Sequence, residues 1–131
     1  MLMNIVLWIL QILLAALFLW HGWLLLAPPP ELIENMNAFL APWFRLFLGA
    51  AEVLAAGGLI LPGVLRIMPW LISLTSAGLM IVMISATGVH IVRNETSSAI
   101  ITAVVFLLVT LVGYMRWKVY PILPKGGSKE A

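Results

Sequence analysis

Four runs of apolar residues, each long enough for a helix to cross a bilayer, account for most of this chain. They extend from Asn4 to Ala27, Trp43 to Leu61, Pro69 to Val89 and Ser98 to Trp117. About 20 mainly apolar residues, rising 1.5 Å each, cover the hydrocarbon core. Backbone amides find no water there, so such a run must close its hydrogen bonds internally, as a helix. The apolar residues are continuous rather than alternating, which excludes the strands of a membrane β-barrel. The expected fold is all-α: an integral membrane four-helix bundle over residues 1–120, then a flexible cytoplasmic tail over 121–131.

Composition agrees. Only 9% of the 131 residues are charged and 63% are hydrophobic, whereas a soluble domain carries about 25% charge. The chain has no cysteine, so disulfides, thiolate metal sites and thiol redox chemistry are excluded. It has no Walker loop, dinucleotide fingerprint or His-Glu-x-x-His motif, so neither a covalently bound cofactor nor a metal is expected. Met80, Met83, Thr87 and His90 form a stripe that could suit copper, but methionines in such a stripe generally pack.

Proline and glycine punctuate the spans. Pro28, Pro29 and Pro30 stop the first helix, Pro42 opens the second, Pro62 and Gly63 end it, and Pro69 opens the third. Thr96, Ser97 and Ser98 offer caps for the fourth. The first span is longer than a signal-peptide core and lacks a basic start, so it reads as retained. Arg66, Arg116, Lys118, Lys125 and Lys129 fall on one side, against Arg93 and Arg45 on the other. The positive-inside rule then places both termini in the cytoplasm. A basic tail beside a bilayer reports orientation, so nucleic acid is not an expected partner.

Between the first two spans, Leu32, Ile33, Met36, Phe39 and Leu40 recur at helical spacing opposite Glu34, Asn35 and Asn37. This pattern predicts a short amphipathic helix lying in the outer interface. Trp20, Trp23 and Trp43 mark the outer boundary, and Trp70, Trp117 and Tyr120 the inner one. Anchoring explains these rings; Trp20 and Trp23 could also stack on a flat ligand.

An ionisable side chain in the hydrocarbon region costs roughly 2.5–3.5 kcal/mol on insertion scales, so each one needs a reason. Glu52 lies about 13 Å below the outer end of the second span. Arg45, seven positions earlier, is about 20° off the same face, together with Gly49 and Ala56. His21 approaches the outer end of the first span and His90 that of the third, with Arg93 and Glu95 just beyond. Glu52, Arg45, His21 and His90 are therefore the candidate ligand- or proton-binding residues, with Arg93, Glu95, Trp20 and Trp23 secondary. The competing explanation is structural: the same residues would fix the register of the bundle.

The run from Arg45 to Pro62 (RLFLGAAEVLAAGGLILP) resembles the second-helix signature of DoxX-like membrane proteins, and the stretch from Gly78 through His90 to Glu95 is also similar. His21-Gly22-Trp23 departs from the pattern, standing where these proteins often carry Gly and Lys. The resemblance covers nearly the whole chain. It implies a four-helix bundle in a prokaryotic cytoplasmic membrane, linked to quinone-coupled oxidation of sulfur compounds and to oxidoreductase assemblies. On this basis the leading expectation is a non-catalytic or accessory subunit of a membrane electron-transfer complex, in contact with lipids and with other membrane subunits or further copies of itself. The alternatives are a component that binds and protonates quinone, and a small-solute or lipid-binding transporter.

Overall fold

A computed structural model of the chain describes residues 1–126. Within them lie α1 (Leu2–Leu26), α2 (Pro30–Phe39), α3 (Pro42–Leu65), α4 (Leu71–Val92) and α5 (Thr96–Tyr114), the last continued by a π-helical segment, Met115–Val119. No strand occurs among the described residues. Four helices are long and apolar enough to cross a membrane: α1, α3, α4 and α5 with its π-helical extension. The molecule is a small multi-pass membrane protein.

The helices form a ring. α1 packs along α3, α4 along α5, α3 against α4, and α1 more lightly against α5. Each buries only a narrow stripe at alternating three- and four-residue steps. The stripe is Leu7, Gln11, Leu14, Phe18, Gly22 and Leu25 on α1, and Arg45, Gly49, Glu52, Ala56, Leu59 and Gly63 on α3. On α4 it is Ile72, Ser76, Leu79 and Met83, and on α5 Val105, Val109 and Val112, continued by Arg116 in the π-helical segment. This spacing is the seam of helices crossing at a shallow angle. The remaining surface stays apolar, as at Ile9, Leu13, Leu54, Ile81 and Leu107, and is suited to acyl chains.

Lipid is as apolar as leucine, so tight helix contact relies on small residues rather than on hydrophobic exclusion. Gly22 and Gly49 face each other, and a Cβ on either would come within 2.9 Å of the other's carbonyl oxygen. Gly113 meets Ser76 in the same way, with 2.8 Å left for a Cβ. These contacts draw α1 onto α3 and α4 onto α5.

Two local expectations are corrected. Pro62 and Gly63 do not end the second spanning helix, which runs on to Leu65 and stops at Arg66 in the left-handed conformation (φ 54°). Pro62 lacks only one amide bond, and buried packing compensates: Gly63 is pressed against Trp8, Ile72 and Ile122. The fourth spanning helix takes no cap from Thr96, Ser97 or Ser98; its N-cap is Glu95, whose side chain accepts no hydrogen bond from the helix amides. That carboxylate is held by Arg93 and His90 instead.

The segment after the last helix begins docked to the bundle. Arg66 donates from Nε to the Leu123 carbonyl (2.9 Å) and from Nη2 to that of Pro124 (3.4 Å), while the Lys125 amide donates to the Arg66 carbonyl (2.8 Å). Residues 127–131 of the expected flexible tail lie outside the described residues. The helix anticipated between the first two spans is α2, which buries none of its residues.

Candidate functional site

Glu52 lies ten residues into α3, about 15 Å along its axis, and is 1% exposed. Its Oε2 is 2.6 Å from His21 Nδ1 on α1. One proton occupies that hydrogen bond, and moving it between the two atoms leaves the total charge of the pair unchanged. The Gly22–Gly49 contact adjoins His21 and lies three residues from Glu52, so the bare backbones at the crossing allow the two side chains to meet. The His21 side chain is 43% exposed, and its Nε2 has no hydrogen-bond partner among the described residues. A buried acid is therefore connected through an imidazole to the flank of the bundle, an arrangement able to pass a proton between Glu52 and a group docked there.

The four candidates do not form one cluster. Arg45 shares the buried face of α3 with Glu52, but seven residues separate them by about 10.5 Å along the axis. Its Nη1 instead donates to the Leu25 carbonyl at the end of α1. The last carbonyls of a helix have no internal partner and carry its negative dipole end, which suits a guanidinium. Arg45 thus ties α3 to the terminus of α1, and its buried Nε is left without a partner. His90 turns to Glu95, with Nδ1 3.0 Å from Oε2, and Arg93 donates to the same carboxylate. This trio sits on the α4–α5 turn, away from Glu52.

In that trio the hydrogen bond from Arg93, followed by that from His90, holds the Glu95 carboxyl below its usual range. Arg93 also lies 3.9 Å from the centroid of the Phe39 ring, linking the turn to the end of α2. Trp20 and Trp23 are exposed on α1. In the methionine stripe Met83 is core, and Thr87 Oγ1 lies within hydrogen-bond distance of both the Met83 carbonyl (2.8 Å) and Thr102 Oγ1 (2.8 Å). Among the described residues, no three His, Cys, Asp or Glu side chains gather to hold a metal ion.

A second buried polar centre lies at the end of the bundle that carries both termini. Arg116, 5% exposed, donates from Nε to Gln11 Oε1 (2.7 Å) and from Nη1 to Asn4 Oδ1 (2.6 Å) and the Tyr120 carbonyl (3.0 Å). Gln11, fully buried, is fixed in turn by donating from Nε2 to the Leu59 carbonyl (2.6 Å). In the sequence Arg116 reads only as an orientation charge, and Asn4 and Gln11 are not among the candidate residues. The signal was available: Gln11 falls on the stripe of Leu7, Leu14 and Phe18, and Arg116 follows Val112 by four residues on that of α5.

No curated protein and no solved structure matches the chain. The model of the DoxX-like family matches residues 9–113, a stretch that takes in the His21–Glu52 pair and most of all four spanning helices. The chain therefore belongs to the DoxX-like family.

Proposed function

We propose that this protein is a small accessory subunit of an oxidoreductase assembly in a prokaryotic cytoplasmic membrane, to which it contributes a proton-exchange pair rather than a redox centre. The observation that carries this reading is the 2.6 Å bond between buried Glu52 and half-exposed His21. An acid–base pair at a helix crossing, reaching the flank through an open imidazole nitrogen, is what proton-coupled chemistry on a neighbouring subunit would use. Without cysteine the chain has no thiol redox centre of its own, and in this reading a partner carries the electrons. The excess of Lys and Arg at the end carrying both termini supports placing that end in the cytoplasm, with α2 in the opposite interface.

Within this reading, quinone is the ligand whose chemistry fits the pair. A quinol must lose protons as it is oxidised, and the unpartnered Nε2 of His21 is a ready acceptor. The test is affinity purification of the tagged protein from its native membrane in mild detergent. Oxidoreductase subunits should co-elute, and their quinol-dependent turnover should fall about 100-fold on Glu52→Gln, the lower end for loss of a general acid–base group, with assembly intact. Elution of the protein alone, or unchanged turnover in the variant, would sink the proposal.

A further inference from the structure

At the opposite end from the His21–Glu52 pair, the charge of Arg116 is not balanced by any of the described residues. A guanidinium stays protonated in proteins, and burying an ion without a counter-charge costs several kcal/mol. Yet the partners of Arg116 are two neutral amides and a backbone carbonyl, with the Trp8 ring 5.4 Å away. Its Nη2 is buried and has no partner. The four described carboxylates are elsewhere: Glu52 is engaged by His21, Glu95 by Arg93 and His90, and Glu31 and Glu34 lie on α2.

Arg116 forms part of the wall of a cavity of about 630 Å³ between α4 and the end of α5. The other walls are largely apolar or aromatic, including Trp70, Leu74, Ala77, Met80 and Trp117. Leu74 is 57% and Trp117 64% exposed, so the cavity opens on the flank of the bundle. A buried cation at one end of an apolar, laterally open cleft matches one class of molecule: an anion joined to a hydrocarbon chain.

We propose that this cavity binds an anionic phospholipid, its phosphate paired with Arg116 and the start of an acyl chain lying along Leu74, Ala77 and Met80. Basic pockets between spanning helices hold anionic headgroups by the same charge logic. The phosphate supplies the missing charge beside the guanidinium. Trp70 and Trp117, with an apolar body and a polar N–H, frame the mouth at headgroup depth. The site is independent of the proton-exchange pair, and neither proposal requires the other.

The test uses the full-length protein, delipidated in a neutral detergent and followed by thermal unfolding. Mixed micelles of phosphatidylglycerol should raise the midpoint saturably, whereas phosphatidylcholine with the same chains, inorganic phosphate and a neutral quinone should not. Arg116→Gln should weaken the phosphatidylglycerol response at least tenfold. Ala77→Phe, which fills the cleft without touching the polar contacts of Arg116, should weaken it similarly and keeps the test decisive if Arg116→Gln folds poorly. Equal responses to the two phospholipids would overturn the proposal, as would an unaltered response in Ala77→Phe. Half-saturation by inorganic phosphate as low as that by lipid would overturn the assignment to a lipid, and a matching response to quinone would overturn the requirement for charge.

Discussion

At the end of the bundle carrying the α1–α3 connection, a buried acid meets a base: Glu52 faces His21 across 2.6 Å. At the end carrying the termini, a buried cation meets, among the described residues, only neutral groups, the amides of Asn4 and Gln11 and the Tyr120 carbonyl. Both centres lie on the same three-four seam and both join α1 to another helix, so packing does not distinguish them. The difference is charge. The first is self-sufficient and its proton can relocate without changing the total, which suits exchange. The second keeps a fixed positive charge that polar contacts orient but do not cancel, which suits binding an anion.

The sharpest way to break this comparison is to orphan the acid. His21→Leu leaves Glu52 buried without a partner and should destabilise the protein by about 3 kcal/mol, near the lower end for breaking a buried pair because His21 is half exposed. Joining it to Glu52→Leu should restore most of the loss, since removing both members of a buried pair is often neutral. Unfolding of the two single variants and the double variant gives the coupling directly. Strict additivity would show that the pair has no energetic coupling.

The counterpart at the other end is Gln11→Leu, expected to cost about 2 kcal/mol. It strips an acceptor from Arg116 Nε and a donor from the Leu59 carbonyl, and buried groups left unsatisfied cost about 1–3 kcal/mol each before relaxation. If the cation depends on an outside anion, phosphatidylglycerol should recover more stability in this variant than in His21→Leu. Equal recovery would erase the distinction between the two centres.

The spanning helices were legible from the chain because a 20-residue apolar run has one solution in lipid. So was the face of α3, since Arg45, Gly49, Glu52 and Ala56 are all buried there. What periodicity leaves open is the neighbour. It places Arg45 and Glu52 on one face but two turns apart, too far to pair, and does not say that the end of α1 stands opposite one and His21 opposite the other. His90 was drawn away by a partner only five residues on, because the α4–α5 turn folds Glu95 back onto it. Arg116 was hidden by its position: near a chain terminus a basic residue looks like an orientation signal, and only the docking of Asn4 and Gln11 across the bundle reveals it as buried.

Gly49→Ala should separate the two centres at a smaller cost, about 1–2 kcal/mol, as a methyl group must push against the Gly22 carbonyl and the Leu25 side chain within about 3 Å. Widening the α1–α3 crossing lengthens the His21–Glu52 bond, so proton-coupled turnover should fall more than stability. The phosphatidylglycerol response at Arg116, on the far side of the core, should be unchanged. Loss of both responses together would mean that the ends are coupled through α1.

The smallest effect belongs to the exposed Glu95 trio, a control for what an ion cluster does outside the buried seam. Its carboxyl is held below the usual range by Arg93 and then His90, so its contribution to stability is present above the ordinary carboxylate range and is lost as pH falls through the depressed folded value. Exposed pairs contribute little and are screened by salt, so the midpoint difference between the parent and Glu95→Gln should be a degree or two near pH 6, shrink in high salt and vanish in strong acid. The same protonation frees Arg93 from the carboxylate while leaving it beside Phe39, so proteolysis within α2 should change less than unfolding of the α4–α5 turn. A Glu95→Gln difference that persisted in acid or resisted salt would show that Glu95 acts through contacts other than its charge, and the contrast between buried and exposed ion pairs in this bundle would fail at its weakest point.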